Sequence, residues 1–262
     1  MARTRTDPDG KPSSLYGPEF YRERHARTFA SAERISAWVT TLVPGIRSVV
    51  DFGCGVGTWL RAFQLAGAAE ILGLEGPWVR SQPLEIPPEL VHFVDLATFP
   101  LLTRRYDLAL CLEVCEHLTA DAAEGVIRKV CSAAEVVLFS AAVPGQPGTG
   151  HVNCHWQSYW AERFARQGFV ANDVVRPRFW RDPEVLYFYQ QNAILYTAEG
   201  RTEGLEALLS APSWSTPPGV ADLVHPELLE SALERQQSTK AAWRLIRRSA
   251  SQRVRKWLRG GR

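Results

Sequence analysis

No apolar run in the 262 residues approaches the roughly 20 that a bilayer-spanning helix needs. Residues Met1 to Ser14 are polar and contain proline, unlike the apolar core of a signal peptide, so a disordered leader (1–14) in a cytoplasmic protein is expected. The five cysteines (Cys54, Cys111, Cys115, Cys131, Cys154) are odd in number and form no C-x-x-C pair. That spacing argues against a disulfide framework or a zinc site and points to buried thiols. Acids are missing from Ser238 to Arg262, where nine basic residues stand. Removing those nine cations from the formal net charge of +2 leaves −7 on the rest of the chain. An acidic body with a basic end makes nucleic-acid binding by the body unlikely on charge grounds and places any attraction to anions at the C-terminus.

What is present is ordinary globular composition, 45% hydrophobic and 22% charged, arranged around one stretch, Val49 to Leu60. An apolar run ends in Asp51, glycines follow at 53, 55 and 57, and an apolar-periodic segment begins at Thr58. This reads as strand, tight turn and helix. Glycines let the backbone approach a ligand that a β-carbon would exclude, and the first N–H groups of a helix offer donors to it. The spacing is neither G-x-G-x-x-G nor a phosphate loop, which would carry a lysine after its last glycine.

With Asp51, Gly53, Gly55 and Gly57 in that order, the turn resembles motif I of class I S-adenosylmethionine (SAM) methyltransferases. The resemblance implies that the glycines pack on the methionine part of SAM and that Asp51 helps hold its ammonium. Strands are expected at 70–75, 91–96, 106–112, 136–140, 169–176 and 191–197, and helices at 18–42, 58–66, 126–133 and 156–167. Glu75 ends the second strand about 20 residues beyond the turn, where a carboxylate can accept both ribose hydroxyls. Gly76 and Trp78 follow in the same loop, and Trp78 is placed to cover the adenine. The resemblance puts Asp95 near the adenine amine and Glu113 beside the cofactor, and makes Tyr16, Tyr21 and Arg24 of a cap segment candidates for the pocket, against the other reading of that segment as a helix packed on the sheet for stability. The expected architecture is α/β, a Rossmann-like fold with a seven-stranded, mostly parallel sheet, helices on both faces and a last strand that is antiparallel. It divides into the leader, a methyltransferase domain with N-terminal cap helices (15–200) and a helical extension (201–262). Motifs across 16–197 also resemble methyltransferases of bacterial polysaccharide and natural-product sugar pathways, which implies O-methylation of a sugar hydroxyl.

A hydroxyl acceptor must lose a proton, and histidine is the side chain best poised to take it near neutrality. His151 leads, from a loop (141–153) rich in proline and glycine. His117 is second; Asn153 is expected to orient the imidazole or the sugar, and Glu116 with His117 to shape the pocket. Glu113, Glu116 and His117 also stand at i, i+3 and i+4, so with His151 they form a second expectation, a site for Mg²⁺. Ubiquinone-pathway and small-RNA 2′-O-methyltransferases carry a similar E-x-x-E-H. A metal-dependent RNA methyltransferase and a non-catalytic SAM-binding scaffold are the alternatives. Trp243, Ile246, Ala250, Val254 and Trp257 recur at helical spacing among the C-terminal arginines, the pattern of a basic amphipathic helix that could lie on an anionic membrane. A homo-oligomer is compatible with the sequence.

Overall fold

A computed structural model of the chain describes residues 18–214 and 220–239. The leader, Tyr16 and the basic segment from residue 240 onward lie outside them, as do the side chains of Tyr21 and Arg24.

One long helix, α1 (Pro18–Leu42), precedes the sheet and ends before Pro44 and Gly45. Proline lacks the N–H that would continue the helix, and Gly45 takes a positive φ of 86°. The alternation that follows is β1 (Ser48–Phe52), α2 (Thr58–Leu65), β2 (Glu70–Glu75), β3 (Val91–Phe93), β4 (Leu108–Leu112), α3 (Ala120–Ala133), β5 (Val136–Ser140), α4 (Gln157–Arg166), β6 (Phe169–Asn172), α5 (Val175–Phe179), α6 (Tyr187–Asn192), β7 (Ile194–Ala198) and α7 (Glu206–Ser210). The sheet runs β3-β2-β1-β4-β5-β7-β6, with β7 antiparallel to both neighbours and the other pairings parallel. A strand order that reverses at β1/β4 opens a crevice at the carboxyl ends of those strands, where ligands bind in open α/β sheets.

Strand residues alternate between two apolar layers. Leu108, Leu110 and Leu112 pack with Ile35 of α1, Phe63 of α2 and Phe179 of α5. Ala109 and Cys111 face Val126 and Ile127 of α3 and Trp160 and Phe164 of α4. Both faces of β4 are buried, which is why it reads as an unbroken apolar run.

Three local expectations change. The third strand stops at Phe93, because Asp95 turns the chain: its carboxylate accepts the N–H of Ala97 (2.9 Å) and the hydroxyl of Thr98 (3.3 Å). Helix α3 begins six residues earlier than expected, at Ala120, capped by Thr119, whose Oγ1 accepts the Ala122 N–H. Residues 173–192, expected to be strand at both ends, instead carry two short helices before β7. Buried Asp173 and Arg176 pair there, i to i+3, a spacing that a helical turn satisfies and a strand does not.

The chain divides into two compact units, up to Leu223 and from Val224 onward. The first extends past the expected boundary at residue 200, because Leu205 and Leu208 join one apolar layer and Val220 the other. In the second, residues 226–239 are helical, as the sequence pattern suggests. No helix among the described residues is long and apolar enough to cross a membrane.

Candidate active site

The turn after β1 needs its glycines for two separate reasons. Gly53, Gly55 and Gly57 all sit at positive φ (90°, 55° and 91°), a region that strains other residues. A β-carbon at Gly53 would also come within 2.4 Å of a Val114 methyl, and one at Gly57 within 2.7 Å of Ile86. The segments bearing Val114 and Ile86 therefore close directly on the turn.

Asp51 is buried at the end of β1, and its Oδ1 has no hydrogen-bond partner. Burial, with a smaller contribution from the Glu75 charge, pushes its carboxyl up to about 8. Glu75, on the neighbouring strand, is buried as well. Its Oε2 accepts the N–H of Gly55 and its Oε1 that of Gly76, each at 2.7 Å. Burial raises its carboxyl, and those two N–H groups oppose the rise. Glu75 thus already spans from its own strand end to the glycine turn, as the spacing predicts. Trp78 folds back so tightly over Gly76 that a β-carbon there would lie 2.0 Å from the indole, yet the ring is 64% exposed. Its outer face is therefore open to a planar ligand. Asp95 is exposed at the end of β3 and shapes its own turn, which buried Lys129 fixes from α3 through the carbonyls of Leu96 (2.6 Å) and Ala97 (2.9 Å).

Glu113 follows β4 and, among the described residues, has the one positive φ outside glycine, 56°. Ser140 holds that conformation, its carbonyl and hydroxyl both accepting the Glu113 N–H (2.9 and 3.2 Å). Non-glycine residues in this region cluster at functional sites, because the surroundings must sustain the strain. Gln146 donates to Glu113 Oε2 (2.8 Å) and Asn192 to Oε1 (3.2 Å). Neither amide was singled out from sequence. Gln146 lies in the proline–glycine loop and Asn192 in α6, and nothing local in either segment signals a partner 33 or 79 residues away.

Glu116 lies in the short turn Cys115–His117, fully buried, and neither carboxylate oxygen has a well-formed hydrogen bond. Burial first, and the nearby Glu113 charge second, hold its carboxyl well above the usual range, and the main-chain N–H groups of Glu116 and Ala142 only partly oppose that rise. Ligand atoms of Glu116, His117 and His151 all come within 4.8 Å of one another. The two imidazoles meet edge-on at 4.9 Å, and His151 lies so close over Gly148 that a β-carbon there would fall 2.0 Å from Nε2. Of the four residues expected as metal ligands, Glu116, His117 and His151 are brought together and Glu113 stands apart, its oxygens accepting from two amides. Asn153 is also placed differently from expectation. Its amide donates to the Cys115 carbonyl (3.1 Å), its Oδ1 pairs with His155 Nε2 (3.0 Å), and its N–H reaches the Glu116 carbonyl (3.0 Å). It pins the loop to the Glu116 turn, and its side chain is committed to those partners.

Comparison with known proteins agrees with this geometry. Residues 16–173 match the family model described as a methyltransferase domain. No curated protein sequence matches the chain. Among solved structures it is similar to DesVI of Streptomyces venezuelae, with a TM-score of 0.52, 16% identity, and coverage of 69% of this chain and 95% of that one. It is also similar to the sugar N-methyltransferase KedS8 from a Streptoalloteichus species (TM-score 0.52, 18% identity, covering 76% and 99%). A third is CalS10, an amino pentose methyltransferase from Micromonospora echinaspora (TM-score 0.50, 14% identity, covering 70% and 98%). At such identities these structures speak to the fold. A strand order with antiparallel β7 inserted between β5 and β6, a glycine turn closed by an acid on either side, and a family model spanning more than half the chain lead to one assignment: the chain belongs to the methyltransferase-domain family and has the fold of the class I SAM-dependent methyltransferases.

Proposed function

We propose that this chain transfers a methyl group from SAM to a sugar hydroxyl of a polysaccharide precursor or glycosylated natural product. The observation that carries the reading is Glu116: a buried carboxylate without a well-formed hydrogen bond, beside two imidazoles, on the sheet edge that also bears Asp51 and Glu75. A fold retains such a group where a ligand or a proton compensates it.

In this reading Gly53, Gly55 and Gly57 take the methionine part of SAM, and Asp51 takes its ammonium. Glu75 exchanges its backbone partners for the two ribose hydroxyls, Gly76 and Trp78 cover the adenine, and Asp95 meets the adenine amine. Glu113 orients the cofactor near its sulfonium. Methyl transfer is an in-line displacement, so holding donor and acceptor in line supplies much of the rate enhancement. His151 removes the acceptor proton, and His117 lies within reach as a second base. An imidazolium formed there favours the ionised form of Glu116, whose carboxylate then offsets the charge on the ring. The test is transfer of labelled methyl from SAM across a panel of nucleotide sugars and glycosides, with and without His151→Ala. A wild type that consumes no SAM with any hydroxyl acceptor, but methylates an amino sugar, would replace O-methylation by N-methylation.

The same three side chains support a second reading, a divalent metal. One carboxylate and two imidazoles fit a borderline ion such as Mn²⁺, Fe²⁺ or Zn²⁺ better than Mg²⁺, which prefers oxygen. Such an ion would lower the pKa of an acceptor hydroxyl. In this arrangement Glu116, His117 and His151 would hold it, and Glu113 would not. Loss of turnover on chelation, restored by Mn²⁺ and not by Mg²⁺, would favour it. The nine-cation C-terminal segment supports a peripheral role at an anionic membrane, and deleting residues 240–262 without change in liposome binding would remove that part.

A further inference from the structure

Gln157 opens α4, is buried, and uses its whole amide. Nε2 donates to the main-chain carbonyls of Gln191 (3.1 Å) and Leu223 (3.0 Å), and Oε1 accepts the Leu223 N–H (3.2 Å). One side chain thus grips Leu223 as a neighbouring strand would. Asp222 grips in the other direction, accepting the N–H and hydroxyl of Ser158 at 2.8 and 2.9 Å. Buried Arg176, held by Asp173, donates to the Ala221 carbonyl (2.9 Å). Residues 221–223 are therefore tied down by α4 and α5, one residue at a time.

From Gln191 the bonds continue inward. Gln191 Nε2 donates to Asn192 Oδ1 (3.0 Å) and Gln146 Oε1 (3.3 Å), Asn192 Nδ2 donates to Gln146 Oε1 (2.9 Å) and Glu113 Oε1, and Gln146 Nε2 donates to Glu113 Oε2. The polarity is consistent throughout: every donor points toward Glu113, where a carboxylate only accepts. Turning any one amide over would set like against like, donor on donor or acceptor on acceptor, in a buried network, where an unmade bond costs about 1–3 kcal/mol.

We propose that residues 221–223 are a positioning strap. By fixing the Gln191 carbonyl through Gln157, they keep Gln191, Asn192 and Gln146 in register and so set the Glu113 carboxylate at the angle the cofactor requires. Gln157 is a positioning residue, acting through Glu113. The inference rests on the reading that the cofactor lies beside Glu113.

The test is calorimetric binding of S-adenosylhomocysteine (SAH), the demethylated cofactor, to the full chain and to Q157L, D222A, E113Q and the two double variants with E113Q. The expected result is a roughly tenfold weakening in Q157L, about threefold in D222A and about tenfold in E113Q, with each double variant no weaker than E113Q alone. Non-additivity is what a merely structural role would not produce. Wild-type affinity in Q157L and D222A, or losses that multiply with E113Q, would overturn the strap. Should Q157L fail to fold, exposed D222A carries the same comparison. A wild type that binds no SAH would overturn the cofactor reading itself, and the strap with it.

Discussion

A carboxyl held neutral until a cation arrives gives the site a measurable proton balance. Asp51, pushed up to about 8 in the unliganded protein, is about nine-tenths neutral at pH 7. An ammonium placed against it favours the ionised form and returns its pKa toward the ordinary carboxylate range, so binding expels the proton. Affinity then rises with pH up to roughly 7.7, where the ligand's own ammonium begins to lose its proton and the rise ends. The expected change in Kd is about ninefold between pH 6 and 7, about 1.3 kcal/mol, with ~0.9 proton released per ligand bound at pH 7. The window lies below the roughly 7.7–8.0 at which an α-amino group itself titrates, so the ligand stays charged throughout. Titrating SAH by calorimetry in two buffers of different ionisation enthalpy reads both quantities. Asp51→Asn should flatten the slope and cut proton release, and any part left over measures Glu75, whose carboxyl is also raised. Identical slopes and proton counts in wild type and Asp51→Asn would refute the reasoning.

Glu75→Ala, which removes the acceptor for both ribose hydroxyls, is expected to weaken SAH binding by about 2–3 kcal/mol, read in the same titrations. Gly57→Ala combines a positive φ with a 2.7 Å clash against Ile86, so a loss of about 1–3 kcal/mol in unfolding free energy by urea titration is expected. His151→Ala should lower kcat by about 10²–10⁴ while leaving SAH affinity within twofold, and equal activity of both proteins would remove His151 as the base. Arg176→Met takes the guanidinium away from buried Asp173, and about 3–5 kcal/mol of destabilisation should appear as a lower Tm.

The placing of Glu75 beside the glycine turn was legible because that contact is set by spacing. Once β1 and β2 are neighbouring parallel strands, an acid 20 residues past the turn has to finish near it, and Glu75 to Gly55 at 2.7 Å is the outcome. His117 and His151 were also legible, as imidazoles on carboxyl-edge loops. The amide network was not. Gln146, Gln191 and Asn192 meet Glu113 only because α6 comes between two segments that read as strand, and buried amides have no periodicity to betray them. Asn153 shows the same limit. Its place in the loop suggested a role toward His151 or the sugar, whereas tertiary packing gave its side chain to the Cys115 carbonyl and to His155.

Three features that oppose folding meet along one edge of the sheet. Asp51 and Glu116 are buried with carboxylate oxygens lacking a well-formed hydrogen bond, and Glu113 is bent into a backbone region that only glycine enters freely. Among the described residues buried Arg176 has Asp173 as its counter-charge, though its Nη1 makes no hydrogen bond, and the Lys129 ammonium is held by two carbonyls. Had the chain been selected for stability alone, replacing Asp51 by a neutral group would be favourable, and the sign of its titration says so. Its folded pKa lies above the ordinary value, so the folded state holds the extra proton between about pH 4 and 8, and stability is lost as pH rises through that window. Asp51→Asn should therefore melt several degrees higher than the wild type at pH 8 and bind SAH more weakly, while at pH 4 the two Tm values converge. A variant that binds less and melts lower at pH 8 would mean that Asp51 is satisfied inside the fold, and that its place at the end of β1 serves packing rather than a ligand.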